Sequence, residues 1–353
     1  MNISSGKLYS IKIERIVNKR LLFACGDDGV LVFDLEREVI NRLKNSGKKV
    51  AKSTPLATFK PHPSPLEDKG IEINEIQILR NGDGKTYLFG AAGDSFGCYK
   101  WDLETKELIR TYSSPGRGYL CSIRVVPSPD EDEHNLLLLG GEDGVLTVWD
   151  LDQDKRLDHI DLNNASAADV ALTESSSSNM PSKAPRRSNS KRSKTASNRW
   201  ISSICARDRN WWTVAGGTTE SLGGGPSGRG GGNSGRIGTG GGFVATFHAA
   251  TRSMVAWSET REIPQKLASV PSNSTDFAVL SQHNLLSVAN EGVVTHWDAL
   301  TLDSNSKRRV WCSPPCAYAA AVSSDGLFTA VGGVGCYVDV FEQSGEKSMR
   351  LVL

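Results

Sequence analysis

Cys312 and Cys316, separated by Ser-Pro-Pro, are the closest approach in this sequence to metal-ligand spacing. Zinc takes about four Cys or His ligands, usually as two close pairs. No second pair with that spacing occurs, so the segment reads as a loop with two free thiols. Seven cysteines in all, an odd number, with no secretory signal over Met1 to Ser10, point to a reducing compartment. Cys25, Cys98, Cys205 and Cys336 lie in or beside apolar stretches and read as small core residues. The six histidines (His62, His134, His159, His248, His283 and His296) are scattered. No nucleophile elbow is present, and the glycine-rich run beginning at Gly223 lacks the Lys-Ser/Thr that completes a phosphate-cradling loop. The expectation is a protein without enzymatic activity, with no catalytic residues, metal or cofactor.

Charge is the other chemistry on offer. The net charge is only +1, yet from Ser175 to Arg207 there are eight basic residues and no acidic one, which leaves the remainder near −7. The tract from Asn163 to Asn198 is rich in Ser, Asn and Ala as well, and its composition predicts disorder. Within it Arg186, Arg187, Lys191, Arg192 and Lys194 are candidates for nuclear localisation or nucleic-acid contact. Phosphorylation of Ser188, Ser190 or Ser193 would cancel that charge. A second tract, Ser221 to Gly242, is glycine-rich and predicts a flexible loop. Its Gly228-Arg229-Gly230-Gly231 faintly resembles Arg-Gly-Gly segments that touch RNA. Neither tract interleaves aromatics with its basic residues.

The elements that carry these tracts are set by an internal repeat. Its clearest copy is LLLLGGEDGVLTVWDL, Leu136 to Leu151: an apolar strand, small residues, a turn, a second strand, then an aromatic followed by an acid. The Asp-Gly pairs at Asp28-Gly29 and Asp143-Gly144 suit tight hairpins. The aromatic-acid positions are Phe33-Asp34, Trp101-Asp102, Trp149-Asp150 and Trp297-Asp298, with Phe341 beginning a Phe-Glu variant. The aromatics are expected to fill the space between neighbouring sheets. Spacings of 48 residues from Trp101 to Trp149 and 44 from Trp297 to Phe341 match one four-stranded unit per repeat. Six units follow, and the whole chain, residues 1–353, is expected to form one all-β propeller. First strands are predicted at Lys7–Glu14, Ile71–Leu79, Tyr119–Val126, Arg199–Ala206, Ser274–Leu280 and Ala317–Ser323, and a last strand at Ser348–Leu353. The ring would then close by packing between blades, with no strand exchanged between the termini. Both inserted tracts fall on the fourth unit and should emerge at the same end of it. No stretch of eighteen apolar residues is present to span a membrane.

This repeat resembles the WD-repeat family, and within it the propeller subunits of the THO complex. The matching stretches are IEINEIQIL (Ile71 to Leu79), DLET (Asp102 to Thr105), GGEDGVLTVWDL (Gly140 to Leu151), RWISSICA followed by WWTVAGG, IPQK (Ile263 to Lys266) and GCYVDVF (Gly335 to Phe341). The resemblance implies a nuclear scaffold of the transcription–export assembly, which couples transcription to mRNA packaging and export. Its implied partners are other THO subunits, with mRNA or its protein particles reached indirectly, and no membrane or small-molecule substrate. The family has seven blades, and this chain starts about where the second would begin. The Gly-His pair common before a WD-repeat first strand is replaced by PGRGYL (Pro115 to Leu120), and the two insertions lie outside the family pattern. Two alternatives are an adaptor of another assembly, such as a ubiquitin-ligase substrate receptor, and a propeller that binds RNA directly. Such receptors favour Arg two positions after the Trp-Asp pair, where this chain has Glu104, Asp152 and Leu300.

Overall fold

The computed structural model describes residues 8–16, 19–26, 29–37, 55–61, 72–93, 97–113, 119–128, 134–163, 165, 199–206, 210–218, 241–269, 284–289, 292–298, 300–309, 317–323, 328–333, 337–342 and 347–352. They form 24 strands in six four-stranded sheets. The first sheet holds β1 (Leu8–Ile16), β2 (Lys19–Gly26), β3 (Gly29–Asp34) and β4 (Ala57–Phe59), and the second β5 (Ile73–Arg80), β6 (Thr86–Ala92), β7 (Gly97–Asp102) and β8 (Leu108–Ser113). The third holds β9 (Leu120–Val126), β10 (Leu136–Gly141), β11 (Val145–Asp150) and β12 (Lys155–Asp161). The fourth holds β13 (Arg199–Ala206), β14 (Trp211–Thr218), β15 (Gly242–His248) and β16 (Ser253–Thr260). The fifth holds β17 (Pro264–Ser269), β18 (Asn284–Ala289), β19 (Val293–Asp298) and β20 (Ser304–Arg309), and the sixth β21 (Ala317–Val322), β22 (Phe328–Gly333), β23 (Tyr337–Glu342) and β24 (Lys347–Val352).

Every sheet is assembled from strands consecutive in sequence, which is the blade of a β-propeller. β1 pairs with β2 and β24 with β23, so each terminal strand stays in the sheet of its own repeat, as expected from the sequence. The blades fall into two compact units: Met1–Asp143 with Thr147–His159, and Gly144–Leu146 with Ile160–Leu353. The first three sheets make up the first unit apart from short pieces of β11 and β12. The last three belong to the second.

One predicted strand is displaced. The fifth blade begins with Pro264–Ser269, ten residues before the expected Ser274–Leu280, which lies outside the described residues. Proline argues against a strand because it cannot donate to the ladder, but it is tolerated at a strand's first residue. Pro264 sits there, and a register shift separates it from Lys266, so the missing N–H breaks no regular pairing. Leu267, three residues on, is buried.

Blades pack through their apolar faces. Within the first unit one core joins Phe23, Val32 and Phe59 of the first blade to Ile76, Leu88 and Trp101 of the second. Another joins Phe89, Cys98 and Tyr112 of the second blade to Ile123, Leu137 and Leu139 of the third. In the second unit Cys205, Ala215, Val244 and Ala256 meet Leu267, Leu285 and Trp297, and Leu286, Val288 and Val294 meet Val331 and Phe341. The repeat aromatics therefore do what their size predicts. Trp101, Trp297 and Phe341 each occupy the core shared with the preceding blade, and half-buried Trp149 packs against its own such core. Phe33 is buried as well. Burying an indole of ~200 Å² contributes roughly 5 kcal/mol at ~25 cal/mol per Å².

Candidate interaction surface

The acid after each repeat aromatic shapes the turn into the fourth strand. One carboxylate oxygen of Asp102 accepts the amides of Glu104 and Thr105, at 2.8 and 2.9 Å. Asp150 does the same for Asp152 and Gln153, and Asp298 for Leu300 and Thr301. A carboxylate that accepts two successive amides satisfies donors the turn leaves orphaned. Four residues after each acid the backbone turns left-handed, at Lys106 (φ 64°), Asp154 (φ 53°) and Leu302 (φ 56°). Asp34 uses the same bonds to cap a single helical turn over 35–37. In the fourth blade His248 stands in the acid's place. Its Nδ1 meets Thr251 Oγ1 at 3.1 Å, and Arg252, four residues on, again has positive φ (53°).

First strands are stitched between blades by polar groups. In the first unit Lys12 Nζ donates to Gln77 Oε1 at 3.4 Å, and burial lowers the Lys12 pKa, against the pull of Glu14. Buried Glu75 accepts Ser122 Oγ at 2.6 Å and the amide of Ile123 at 2.9 Å. Farther out, Asp154 accepts Tyr112 Oη at 2.8 Å and Arg110 Nη1 at 2.9 Å. Burial, with Asp154 as second cause, raises the Tyr112 pKa. In the second unit the links are hydroxyls. Ser202 donates to the Pro264 carbonyl at 2.5 Å, and Ser203 accepts the Leu267 amide at 3.0 Å.

His134, Asp150 and Asp152 bring three possible metal-ligand atoms within 4.8 Å of one another. The carboxylates already serve the turn, with His134 Nδ1 facing Asp152 Oδ2 at 3.8 Å and Asp150 Oδ1 at 4.0 Å. Asp150 caps its turn, Asp152 accepts the backbone and side-chain N–H groups of Asn135, and His134 Nε2 meets Gln153 Nε2 at 3.1 Å. The cluster closes a turn. Cys25, Cys98 and Cys205 are buried and form no disulfide among the described residues, as their flanking sequence predicts. Half-buried Cys121 is pushed up to about 12 by desolvation and, secondarily, by Glu142 and Asp143. Cys312, Cys316 and Cys336 lie outside the described residues, as do Arg186, Arg187, Lys191, Arg192 and Lys194.

What is described is the root of both insertions. Arg199 pairs with Thr218, and Gly217 with Gly242, so the three chain ends that carry the tracts meet at one end of the fourth blade, as the strand order requires. The ends of the basic tract are tied together there. The Arg199 amide donates to Asn163 Oδ1 at 2.7 Å, and its guanidinium donates to the carbonyls of Leu162 (2.6 Å) and Ala165. The guanidinium also lies 4.6 Å from the Trp257 ring, which stacks on Phe243 at 4.9 Å. Gly144 (φ 68°) permits this approach, since a Cβ there would stand 2.6 Å from the Arg199 carbonyl oxygen. Reading the sequence counts Arg199 only as one more positive charge. Its role as a clamp rests on partners up to 37 residues away in sequence, for which no local pattern exists.

At the same end, the fourth strand of this blade and the fifth blade enclose a groove of about 190 Å³. Glu259, Arg261 and Glu262 stand on one side, and Ser287, Thr295 and Trp297 on the other. Trp297 Nε1 donates to Ser287 Oγ at 2.8 Å, which fixes the floor.

No family model matches this chain. A stretch of 99 residues is 35% identical to human kinesin-like protein KIF21A, covering 28% of this chain and 5% of that protein. Solved structures resemble it along nearly its full length. Raptor from Chaetomium thermophilum superposes with a TM-score of 0.61 at 13% identity, over 99% of this chain and 25% of that one. A chain of the mitotic checkpoint complex gives 0.58 at 14%, over 94% and 73%, and U3-55K gives 0.59 at 11%, over 100% and 84%. At these identities the likeness is one of fold. The chain is a six-bladed β-propeller.

Proposed function

We propose that this propeller is a non-enzymatic scaffold subunit of the THO complex, acting in the nucleus where transcription is coupled to mRNA packaging and export. The observation that carries the reading is the distribution of the THO-like stretches. They fall on β5, β10 and β11, β13 and β14, β17 and β23, in five of six blades, so the resemblance follows the repeat order and does not rest on one Trp-Asp hairpin. One structural neighbour, a chain of the mitotic checkpoint complex, is a propeller-like chain found inside an assembly, which supports the broader idea of a scaffold. Its partners are then other THO subunits, and mRNA is met through them.

The test is affinity purification of the tagged chain from nuclear extract treated with nuclease, followed by mass spectrometry. Stoichiometric recovery of the large THO subunits is expected. Recovery of ubiquitin-ligase subunits, or loss of every partner after nuclease, would replace the reading with an adaptor or an RNA-tethered propeller respectively.

A further inference from the structure

We infer that Lys12, Gln77 and Arg124, on the first strands of the first three blades, form a binding site for an oxyanion, either a carboxylate or a phosphate group. The strand register carries the placement. In each blade one residue of the second strand pairs with the repeat aromatic, and the next residue pairs back to a fixed position on the first strand. Leu22, Leu88 and Leu137 pair with Phe33, Trp101 and Trp149. The residues that follow them, Phe23, Phe89 and Leu138, pair with Lys12, Gln77 and Arg124. The three side chains thus hold one equivalent position in three successive blades. First strands of neighbouring blades lie side by side, β1 on β5 and β5 on β9, so these positions form one layer at the inner edge of the sheets. The 3.4 Å bond from Lys12 Nζ to Gln77 Oε1 crosses from the first blade to the second within that layer. In the fourth, fifth and sixth blades the same position holds Cys205, Ala268 and Ala321, so the cationic layer belongs to the first three blades.

The chemistry of the layer is that of donors in want of an acceptor. Lys12 is a half-buried ammonium with one long bond to a neutral amide. Arg124 is half-buried as well, and its Nε is buried with no hydrogen-bond partner. Because Gln77 turns Oε1 to Lys12, its Nε2 is left as a third donor. The carboxylates nearby do not meet the need. Glu75 is buried and gives Oε2 to the Ser122 hydroxyl and the Ile123 amide. Glu14, two residues along β1, forms no ion pair with Lys12 or Arg124 among the described residues. Burial lowers the Lys12 pKa most, Glu14 opposes it, and Arg124 lowers it further, so the two cations stand within electrostatic reach of each other. A cation drawn out of water without a paired anion is costly. A guanidinium fork beside an ammonium and an amide N–H matches the oxygens of a carboxylate or a phosphate, and one such group would offset both charges. The inference does not depend on which assembly the propeller joins.

The test is acetylation of the full-length chain by a trace of acetic anhydride at about pH 8, read at Lys12 by mass spectrometry. Exposed Lys85, which has Asp83 beside it at 4.0 Å, is the internal standard. Two probes are compared with chloride at equal ionic strength: inorganic phosphate and a hexaglutamate peptide. A bound anion should slow the labelling of Lys12 relative to Lys85 by at least about threefold, the factor expected when the probe stands at about twice its Kd. Arg124→Gln should abolish that protection. Circular dichroism checks that this variant folds. Arg124→Lys, which keeps the charge and loses the fork, serves if it does not, and should weaken the protection. Protection by phosphate alone assigns the site to a free anion, and protection by the peptide assigns it to a partner's carboxylates. Both bear out the proposal. No protection by either probe at about 10 mM, where a millimolar site is nearly filled, would overturn it. So would protection that the Arg124 exchange leaves unchanged.

Discussion

The contacts between the second and third blades and those between the fourth and fifth solve one problem with different materials. The former bury a carboxylate, Glu75, and give it two donors, then add Asp154 farther out with a phenol and a guanidinium. The latter use two serine hydroxyls and leave a groove of about 190 Å³ beside them. A buried charge is costly to desolvate and must be fully paired, so it tolerates one geometry only. Hydroxyls cost less and specify less. The first arrangement suits a fixed seam, and the second leaves room for something to bind.

The largest effect that would sharpen this contrast is at Glu75. Glu75→Ala removes a buried acceptor shared by the Ser122 hydroxyl and the Ile123 amide, and we expect a loss of about 3 kcal/mol in denaturant unfolding. Ser203→Ala removes a neutral acceptor from the Leu267 amide and should cost about 1 to 2 kcal/mol. If the two losses are equal, the seams do not differ as described. Next in size are the turn caps. Asp102→Ala and Asp298→Ala, one in each unit, should each cost about 1 kcal/mol, by analogy with lost helix caps. A clear difference between them would mean that the turns share geometry but not energetics.

The smallest effect concerns Cys121. Its thiol, pushed up to about 12, should alkylate slowly in the native chain at pH 8 and at an ordinary rate after unfolding, as mass spectrometry of the labelled peptide would show. The folded thiol holds its proton above pH 9 while the unfolded one loses it, so this group lowers stability as pH rises from about 9 toward 12. Fast labelling at pH 8 would mean that Cys121 is not desolvated as described.

Much of the fold was legible because the repeat carries its own signals. Asp143-Gly144 announces a hairpin, and Gly144 has the positive φ that such a turn needs. Trp101, Trp149 and Trp297 mark strand ends, and each packs toward the preceding blade. The first strand of the fifth blade was misplaced because Pro264 hides a strand whose other credentials, such as buried Leu267, are tertiary. The site was less legible. Arg186 to Lys194 stand out by composition, yet the groove beside their root is built from Glu259, Glu262, Ser287 and Trp297, on separate strands.

By itself the sequence determined what depends on local chemistry and periodicity: six four-stranded units, the aromatic at each third-strand end, the turn glycines, and the fourth blade as carrier of both insertions. Only the tertiary structure decided which polar groups meet between blades. Glu75 finds Ser122, Ser203 finds Leu267, and Arg199 ties Leu162 to Ala165. Hydrogen bonds between blades join residues 34 to 65 positions apart, and their geometry is set by how sheets pack, which no local pattern encodes.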